Sequence, residues 1–237
     1  NPDLDDDEIT YILNLASPAL RIGDAIAGKD REHVAESGRW RGTAAIFFTS
    51  GTTGRPKGVV HTLDALVGNV VSFNRALTID AAVRMYHVMP MFYMAGFLNT
   101  LLSPIMAGAS VAIGNRFSAR SALQFWEAIG SADANLIWLS PTMAASLLRA
   151  TRDIEHARHV AAKLSQVLCG TAPLADGLRT GFKERFGVPL QESYGTSELL
   201  LVSAQTRADA ETKVDVGMPL PELELDQRPY ADAPAQQ

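Results

Sequence analysis

The sequence predicts an α/β fold in which a mostly parallel sheet is covered by helices on both faces. Two observations lead to this fold class. Short, almost entirely apolar strands recur along the 237-residue chain, and most of them are followed by a segment with helical periodicity. Strands that alternate with helices pair in parallel, and strands buried on both faces are apolar throughout. Ligands of such sheets bind beyond the carboxyl ends of the strands, so we expect the functional site at that edge.

The first predicted elements are a helix at 5–15, with acidic residues in its first turn, and an apolar strand at 44–48. A polar, glycine-containing connection joins them. After a glycine-rich stretch, apolar residues at three- and four-residue steps from Val59 to Asn74 predict a helix. Its N-terminus would add a positive end to any anion site formed by that stretch.

Strands and helices then alternate along the rest of the chain. The predicted strands lie at 85–89, 110–113, 135–139, 164–169, 188–193 and 220–226. The predicted helices lie at 98–106, 118–129, 143–151 and 176–186. Ser118 is expected to cap one helix at its N-terminus, and Gly187 suits the C-terminal end of another. Residues 227–237 have no apolar period and are expected to form a disordered tail.

Composition and charge narrow the classes of function. A chain with 47% hydrophobic and 20% charged residues suits one large core or two closely packed lobes. The net charge of −5 gives no general attraction to nucleic acid or to an anionic membrane. The acidic start lacks the positive charge of a signal peptide, and no apolar stretch is continuous enough to span a membrane. Cys169 is the single cysteine and is expected to be a buried strand residue. These features favour a cytoplasmic protein.

The glycine-rich stretch points to a chemistry. It reads Thr49-Ser50-Gly51-Thr52-Thr53-Gly54-Arg55-Pro56-Lys57-Gly58. Glycines let backbone N–H groups approach an anion, hydroxyls donate further hydrogen bonds, and the lysine adds a positive charge. The spacing differs from a Walker A loop, because no Ser or Thr follows the lysine. The stretch therefore predicts a polyphosphate-binding loop, and the alternative is an ordinary turn between a strand and a helix.

This stretch resembles the phosphate-binding signature of the adenylate-forming superfamily, which contains acyl-CoA synthetases, luciferases and peptide synthetase adenylation domains. Tyr194-Gly195-Thr196-Ser197-Glu198 resembles the family's Tyr-Gly-x-Thr-Glu motif, and residues 170–174 and 216–219 resemble two further family segments. The resemblance implies an N-terminal helix and shortened connection at 1–42 and an AMP-binding α/β core at 43–226. The small C-terminal domain of the family is expected to be absent.

The resemblance implies ATP-dependent activation of a carboxylate through an acyl-adenylate, followed by transfer to a thiol such as coenzyme A. Lys57, Ser197 and Glu198 would be the catalytic residues, with Glu198 holding Mg²⁺. The phosphates would lie against Thr49, Ser50, Gly51, Thr52, Thr53, Gly54 and Lys57. Tyr194, Gly195, Thr196 and Ser197 would bind the nucleotide together with Gly170, Thr171 and Ala172. This interpretation requires the loop and Glu198 to face each other across one crevice.

The acyl pocket implied by the resemblance would be lined by Tyr93, Gly96, Trp138 and Met143. Residues 90–96 resemble the family's Pro-x-x-His-x-x-Gly segment, with Tyr93 in the histidine position. Tyr93 either borders the pocket or packs in the core. Aliphatic, aromatic and short dicarboxylic acids all remain open as substrates, and the acceptor is either coenzyme A or a carrier-protein thiol. His61 and His87 are expected to be solvated or hydrogen-bonded, since neither has a partner at metal-ligand spacing.

Three functional alternatives remain at this point. The chain is a shortened acid–thiol ligase of the AMP-forming class, a non-catalytic nucleotide-binding remnant, or a fragment that needs missing segments or a partner chain. The family's hinge and C-terminal lysine have no match, which favours the second alternative. Apolar surface left by missing segments would promote self-association.

Overall fold

The computed structural model describes residues 5–16, 42–49, 56–212 and 214–223. The predicted connection, most of the glycine-rich stretch and the predicted tail lie outside these residues. The strands are β1 (Thr43–Thr49), β2 (Lys57–Thr62), β3 (Arg84–His87), β4 (Ser110–Ile113), β5 (Leu136–Leu139), β6 (Gln166–Cys169), β7 (Gln191–Thr196), β8 (Leu200–Ala204) and β9 (Met218–Pro219). The α-helices are α1 (Asp6–Ala16), α2 (Leu63–Leu77), α3 (Ser103–Met106), α4 (Ala119–Leu123), α5 (Phe125–Ser131), α6 (Pro141–Ala150), α7 (Ile154–Ala161), α8 (Asp176–Phe186) and α9 (Arg207–Thr212), and a π-helix spans Ala95–Leu102.

A seven-stranded mixed sheet forms the centre of the molecule, in the order β4-β3-β5-β6-β7-β8-β9. The pairs from β4 to β7 are parallel, and β8 and β9 continue the sheet in antiparallel pairing. The predicted fold class is therefore confirmed. Cys169 is completely buried at the end of β6, as expected.

Helices cover both faces of this sheet, because successive side chains of each strand point to opposite sides. On β5, Ile137 and Leu139 belong to a cluster with α4 to α8, which contains Phe125, Trp126, Phe182 and Phe186. Leu136 and Trp138 belong to a second cluster with α2, the π-helix and β1. The site is therefore built on a sheet with two packed cores.

β1 and β2 form a separate two-stranded antiparallel sheet, a hairpin in which Thr49 pairs with Lys57. The predicted helix from Val59 is wrong at its start, because residues 57–62 pair with β1 as a strand. The Thr62 side chain accepts a hydrogen bond from the backbone N–H of Ala65 and caps α2, which begins at Leu63. The helix N-terminus is thus at the far end of β2 from the glycine-rich stretch, roughly 17 Å along a strand of this length.

Other boundaries differ from the predictions for local reasons. The predicted helix at 98–106 is the π-helix followed by α3, and the predicted helix at 118–129 divides at Gln124 into α4 and α5. Ser118 caps α4 as predicted, and Gly187 ends α8 with a φ of 77°. The predicted strand at 188–193 is shifted to β7. Residues 220–223 form no strand, whereas α7, β8, α9 and β9 were not predicted. None of the described helices is long and apolar enough to span a membrane.

Candidate functional site

The strands β3 and β5 are neighbours in the sheet, and the topology predicts a ligand crevice beyond their carboxyl ends. The chain leaving β3 forms the π-helix and α3, which pack against α2 on one face. The chain leaving β5 forms α6 on the other face. Adjacent strands whose connections leave to opposite faces open a ligand crevice beyond their carboxyl ends.

The segment after β3 is held in a tight turn that leads into the π-helix. The Pro90 carbonyl accepts from the Tyr93 N–H at 3.1 Å, and the Tyr93 carbonyl accepts from the Gly96 N–H at 2.9 Å. A Cβ on Gly96 would lie 2.1 Å from the Pro90 oxygen, so only glycine fits. The Tyr93 side chain is 41% exposed, and partial burial raises the pKa of its phenol. Tyr93 is therefore partly exposed at this turn and is not a core residue; its place at the acyl pocket remains a prediction.

The segment after β6 is closely packed and strained. A Cβ on Gly170 would lie 2.8 Å from the Ser193 hydroxyl oxygen and 3.4 Å from the Trp138 ring. Thr171 has a φ of 79°, which is costly for a β-branched residue. The segment ends at Leu174, whose N–H donates to the buried Glu192 carboxylate at 3.1 Å. The predicted nucleotide wall is thus a constrained strand end, with the side chains of Thr171 and Ala172 exposed.

Trp138 and Met143, predicted to line one acyl pocket, lie in different clusters on opposite faces of the sheet. Trp138 is 1% exposed and packs 5.6 Å from Phe73, ring centre to ring centre. Its Nε1–H has no hydrogen-bond partner among the described residues. Met143 is buried beside the capping residue Ser140. The two side chains therefore pack in different cores, and the acyl pocket remains a prediction.

The turn after β7 presents Glu198. Tyr194 is 46% exposed, Gly195, Thr196 and Ser197 are half-buried, and the exposed Glu198 carboxylate forms no hydrogen bond or ion pair with described residues. The carbonyl of Ser197 accepts from His61 Nε2 at 2.6 Å. Because His61 belongs to β2, this bond joins the hairpin beside the glycine-rich stretch to the turn that carries Glu198.

Lys57 begins β2 and is exposed, opposite the half-buried Thr49. His61 lies about 13 Å further along the same strand at the usual rise per residue. Ser50, Gly51, Thr52, Thr53 and Gly54 lie outside the described residues. The facing of the loop and Glu198 across one crevice accordingly remains a prediction.

A cleft of about 470 Å³ opens beside Glu198, between α2 and the turn. His61, Asn69, Ser72 and Glu222 also line it. The described residues contain no group of three or more His, Cys, Asp or Glu side chains placed to hold a metal ion. Any metal here would need further ligands, such as the oxygens of a bound phosphate.

His61 and His87 were expected to be either solvated or hydrogen-bonded, and both are hydrogen-bonded in the structure. His87 is buried with its Nδ1 2.6 Å from the Thr100 hydroxyl, and burial lowers its pKa. His61 is buried against Phe47, with ring centres 6.0 Å apart. The sequence carries no spacing signal for the contact of His61 with the Glu198 turn, because the two partners are 136 positions apart.

A family model described as AMP-binding enzyme matches residues 23–228 of the chain. Among curated relatives, the mitochondrial malonate–CoA ligase of Mus musculus is 30% identical over 227 residues, which cover 89% of this chain and 38% of the relative. The sulfoacetate–CoA ligase of Cupriavidus necator is 33% identical over 159 residues, covering 65% of this chain and 29% of that protein. The chain thus spans little more than a third of such relatives.

Solved structures share the fold. A malonyl-CoA ligase in a ternary product complex with methylmalonyl-CoA and AMP superposes with a TM-score of 0.74 at 26% identity, covering 93% of this chain and 51% of that one. The o-succinylbenzoate coenzyme A synthetase of Bacillus subtilis, in complex with ATP and magnesium ion, gives 0.65 at 28% identity, covering 84% and 40%. With its motif-bearing strand ends in the same fold, this chain belongs to the AMP-binding enzyme family.

Proposed function

We propose that this chain is the nucleotide-binding part of an ATP-dependent acid–thiol ligase. A carboxylate oxygen of the substrate attacks the α-phosphorus of ATP, the bond to the bridging oxygen breaks, and pyrophosphate leaves with its electron pair. A thiolate, formed when the thiol of coenzyme A loses its proton, then attacks the acyl carbon, and AMP leaves. Such reactions are accelerated chiefly by positioning and by stabilisation of the phosphate charge.

The bond between His61 and the Ser197 carbonyl carries the proposal. It ties the hairpin flanking a glycine-rich, lysine-bearing stretch to the turn that presents a carboxylate without a partner among the described residues. In this assignment the stretch from Thr49 to Lys57 holds the β- and γ-phosphates, and Ser197 approaches the α-phosphate. Tyr194 and the strand end at Gly170 enclose the adenine.

Glu198 is suited to coordinate magnesium, because its carboxylate is exposed beside the cleft and has no partner within the described part of the chain. Magnesium takes hard oxygen ligands, commonly one or two carboxylates together with substrate phosphates. Bound there, the ion would neutralise charge on the phosphates. The chain's own contribution is to hold the Glu198 oxygens at the phosphate end of the site.

We propose a short acid with a second anionic group as the substrate and coenzyme A as the acceptor. Relatives of this chain are named for malonate, sulfoacetate and oxalate. Tyr93 and Gly96 would lie at the acyl end of the crevice, and the exposed phenol of Tyr93 can donate a hydrogen bond to such a group.

A second candidate is a non-catalytic nucleotide-binding remnant or a fragment that needs a partner. The chain covers only 38% of the mouse relative, and the outer face of the hairpin exposes Ile46 by 37% and Val60 by 56%. An exposed apolar strand face favours self-association. The cytoplasmic location stays a prediction, because named relatives include mitochondrial and peroxisomal proteins, and cell fractionation would test it.

Carboxylate-dependent exchange of labelled pyrophosphate into ATP tests the proposal. Malonate, sulfoacetate and oxalate should support exchange better than butyrate or benzoate. Lys57→Ala and Glu198→Gln should each lower it by about 100-fold, as loss of a charge-stabilising group does. Lys163→Ala, an exposed lysine just before β6 at the opposite edge of the sheet, should leave it unchanged.

Absence of exchange with every acid, while isothermal titration calorimetry detects ATP binding, would instead establish the remnant. A mass that rises with concentration in sedimentation experiments, and falls in a Val60→Thr variant, would support the fragment that needs a partner.

A further inference from the structure

We infer that His61 and Asn69 are positioning residues that together fix the turn carrying Glu198. The inference rests on the proposed function, because it gives the fixed carboxylate a role at the phosphate end of the site. Both residues come from the segment directly after the glycine-rich stretch, His61 from β2 and Asn69 from α2.

His61 holds the turn on the N-terminal side of Glu198. Its Nε2 lies 2.6 Å from the carbonyl oxygen of Ser197, the residue before Glu198. A carbonyl only accepts, so Nε2 carries the proton and donates. The ring is 7% exposed and packed against Phe47, which limits the directions in which it can donate.

Asn69 holds the turn on the C-terminal side. Its side-chain amide donates to the Leu201 carbonyl at 2.7 Å, and its side-chain oxygen accepts from the Leu201 N–H at 3.1 Å. One side chain therefore engages both backbone groups of a single residue, as a neighbouring strand would. Such a two-point contact sets orientation as well as distance.

The turn between these anchors has a backbone that needs support. Leu200 has a φ of 62°, in the left-handed region that side chains disfavour. A Cβ on Gly195 would lie 2.2 Å from the Leu200 oxygen, so the turn also passes very close to β7. The N–H of Leu199 donates to the Thr196 hydroxyl at 3.1 Å. Strained conformations of this kind persist only where their surroundings hold them.

The two anchors bracket Glu198 from Ser197 to Leu201. They couple its backbone to β2 and α2, the elements that follow the predicted phosphate loop. The position of the carboxylate relative to these elements is therefore fixed. Residues that orient a metal ligand without touching the metal typically change metal affinity by about 10- to 100-fold. Loss of either anchor should therefore weaken the contribution of magnesium to ATP binding and spare ATP binding itself.

The test is isothermal titration calorimetry of the full chain with ATP, in excess Mg²⁺ and in EDTA. The ratio of the two affinities measures the magnesium contribution. Glu198→Gln should abolish that contribution. His61→Leu and Asn69→Leu should each reduce it about tenfold with the affinity in EDTA unchanged. His61→Gln should retain it, because an amide N–H can still donate to the Ser197 carbonyl. His159→Leu, the same change on the exposed face of α7, is the control.

The outcomes separate the inference from the proposed function. If the unmodified chain binds no ATP, or if Glu198→Gln keeps the full magnesium contribution, the proposed function is wrong and the inference falls with it. If Glu198→Gln removes the contribution while both leucine variants keep it, the inference alone is overturned. Thermal melting identifies any variant that does not fold. If Asn69→Leu does not fold, Asn69→Asp replaces it in the titration, because its side chain keeps the acceptor for the Leu201 N–H and loses the donor to the Leu201 carbonyl.

Discussion

Arg179 on α8 and Glu192 on β7 form a buried ion pair that supports the strand end at Gly170, and we expect Arg179→Met to destabilise the fold strongly. A guanidinium nitrogen of Arg179 lies 2.5 Å from a Glu192 oxygen, and both side chains are 9% exposed. The other Glu192 oxygen accepts from the Leu174 N–H at 3.1 Å. Removing the arginine leaves a buried carboxylate that has, among the described residues, one backbone donor and no counter-charge, which costs about 3–5 kcal/mol.

Urea unfolding followed by circular dichroism measures this cost, and a thermal melt should show a decrease of at least about 6 °C for a chain of this size. Lys183→Met is the matched control. Lys183, on the same helix as Arg179, pairs with Glu211 of α9, but those side chains are 45% and 40% exposed, so the loss should be at most about 1 kcal/mol. The double variant Arg179→Met/Glu192→Gln should be less destabilised than the sum of its single variants, because the unpaired charge is gone. Equal, small effects of Arg179→Met and Lys183→Met would refute the assignment of a buried, coupled pair.

Three further outcomes follow from the packing. Gly96→Ala should destabilise by about 2–3 kcal/mol in urea unfolding, because its Cβ would lie 2.1 Å from the Pro90 oxygen; a near-neutral effect would contradict the tight turn. Gly187→Ala, at a φ of 77° with open space around it, should cost only about 1 kcal/mol from backbone strain. Burial, and then Glu192, raise the pKa of the Cys169 thiol from 9.0 to about 12. Above pH 9 the unfolded chain releases a proton that the native chain keeps. Stability should therefore fall by about 1.4 kcal/mol per pH unit from pH 9 towards 12, and this loss should be missing in Cys169→Ala.

The central strands were predictable because burial on both faces makes them apolar throughout. β5, Leu136–Leu139, is entirely buried, and its composition alone marks it as a strand of a covered sheet. α8 was predicted at its observed bounds, since its apolar residues recur at four-residue steps and Gly187 ends it. Sequence patterns suffice to predict an element where residues close to it in sequence determine its conformation.

β2 was not predictable in the same way. Val59 and Val60 suit a strand as well as the start of a helix, and pairing with β1 decides between them. The π-helix likewise follows a turn in which Gly96 meets Pro90, a contact that no apolar spacing reports. Trp138 points into the core shared with α2 because of which helices cover that face, and that arrangement is a property of the assembled sheet.

The order of residues by itself determined the fold class and the family, because these depend on local composition and short motifs. The same motifs predict which segments bind phosphate, adenine and metal. Tertiary structure alone decided that the hairpin forms a sheet separate from the seven-stranded one. It also decided that His61 and Asn69 form hydrogen bonds with the turn that carries Glu198. Those contacts join residues 132 to 136 positions apart. A hydrogen bond over such a separation leaves no periodic trace in the chain, and only folding brings its partners together.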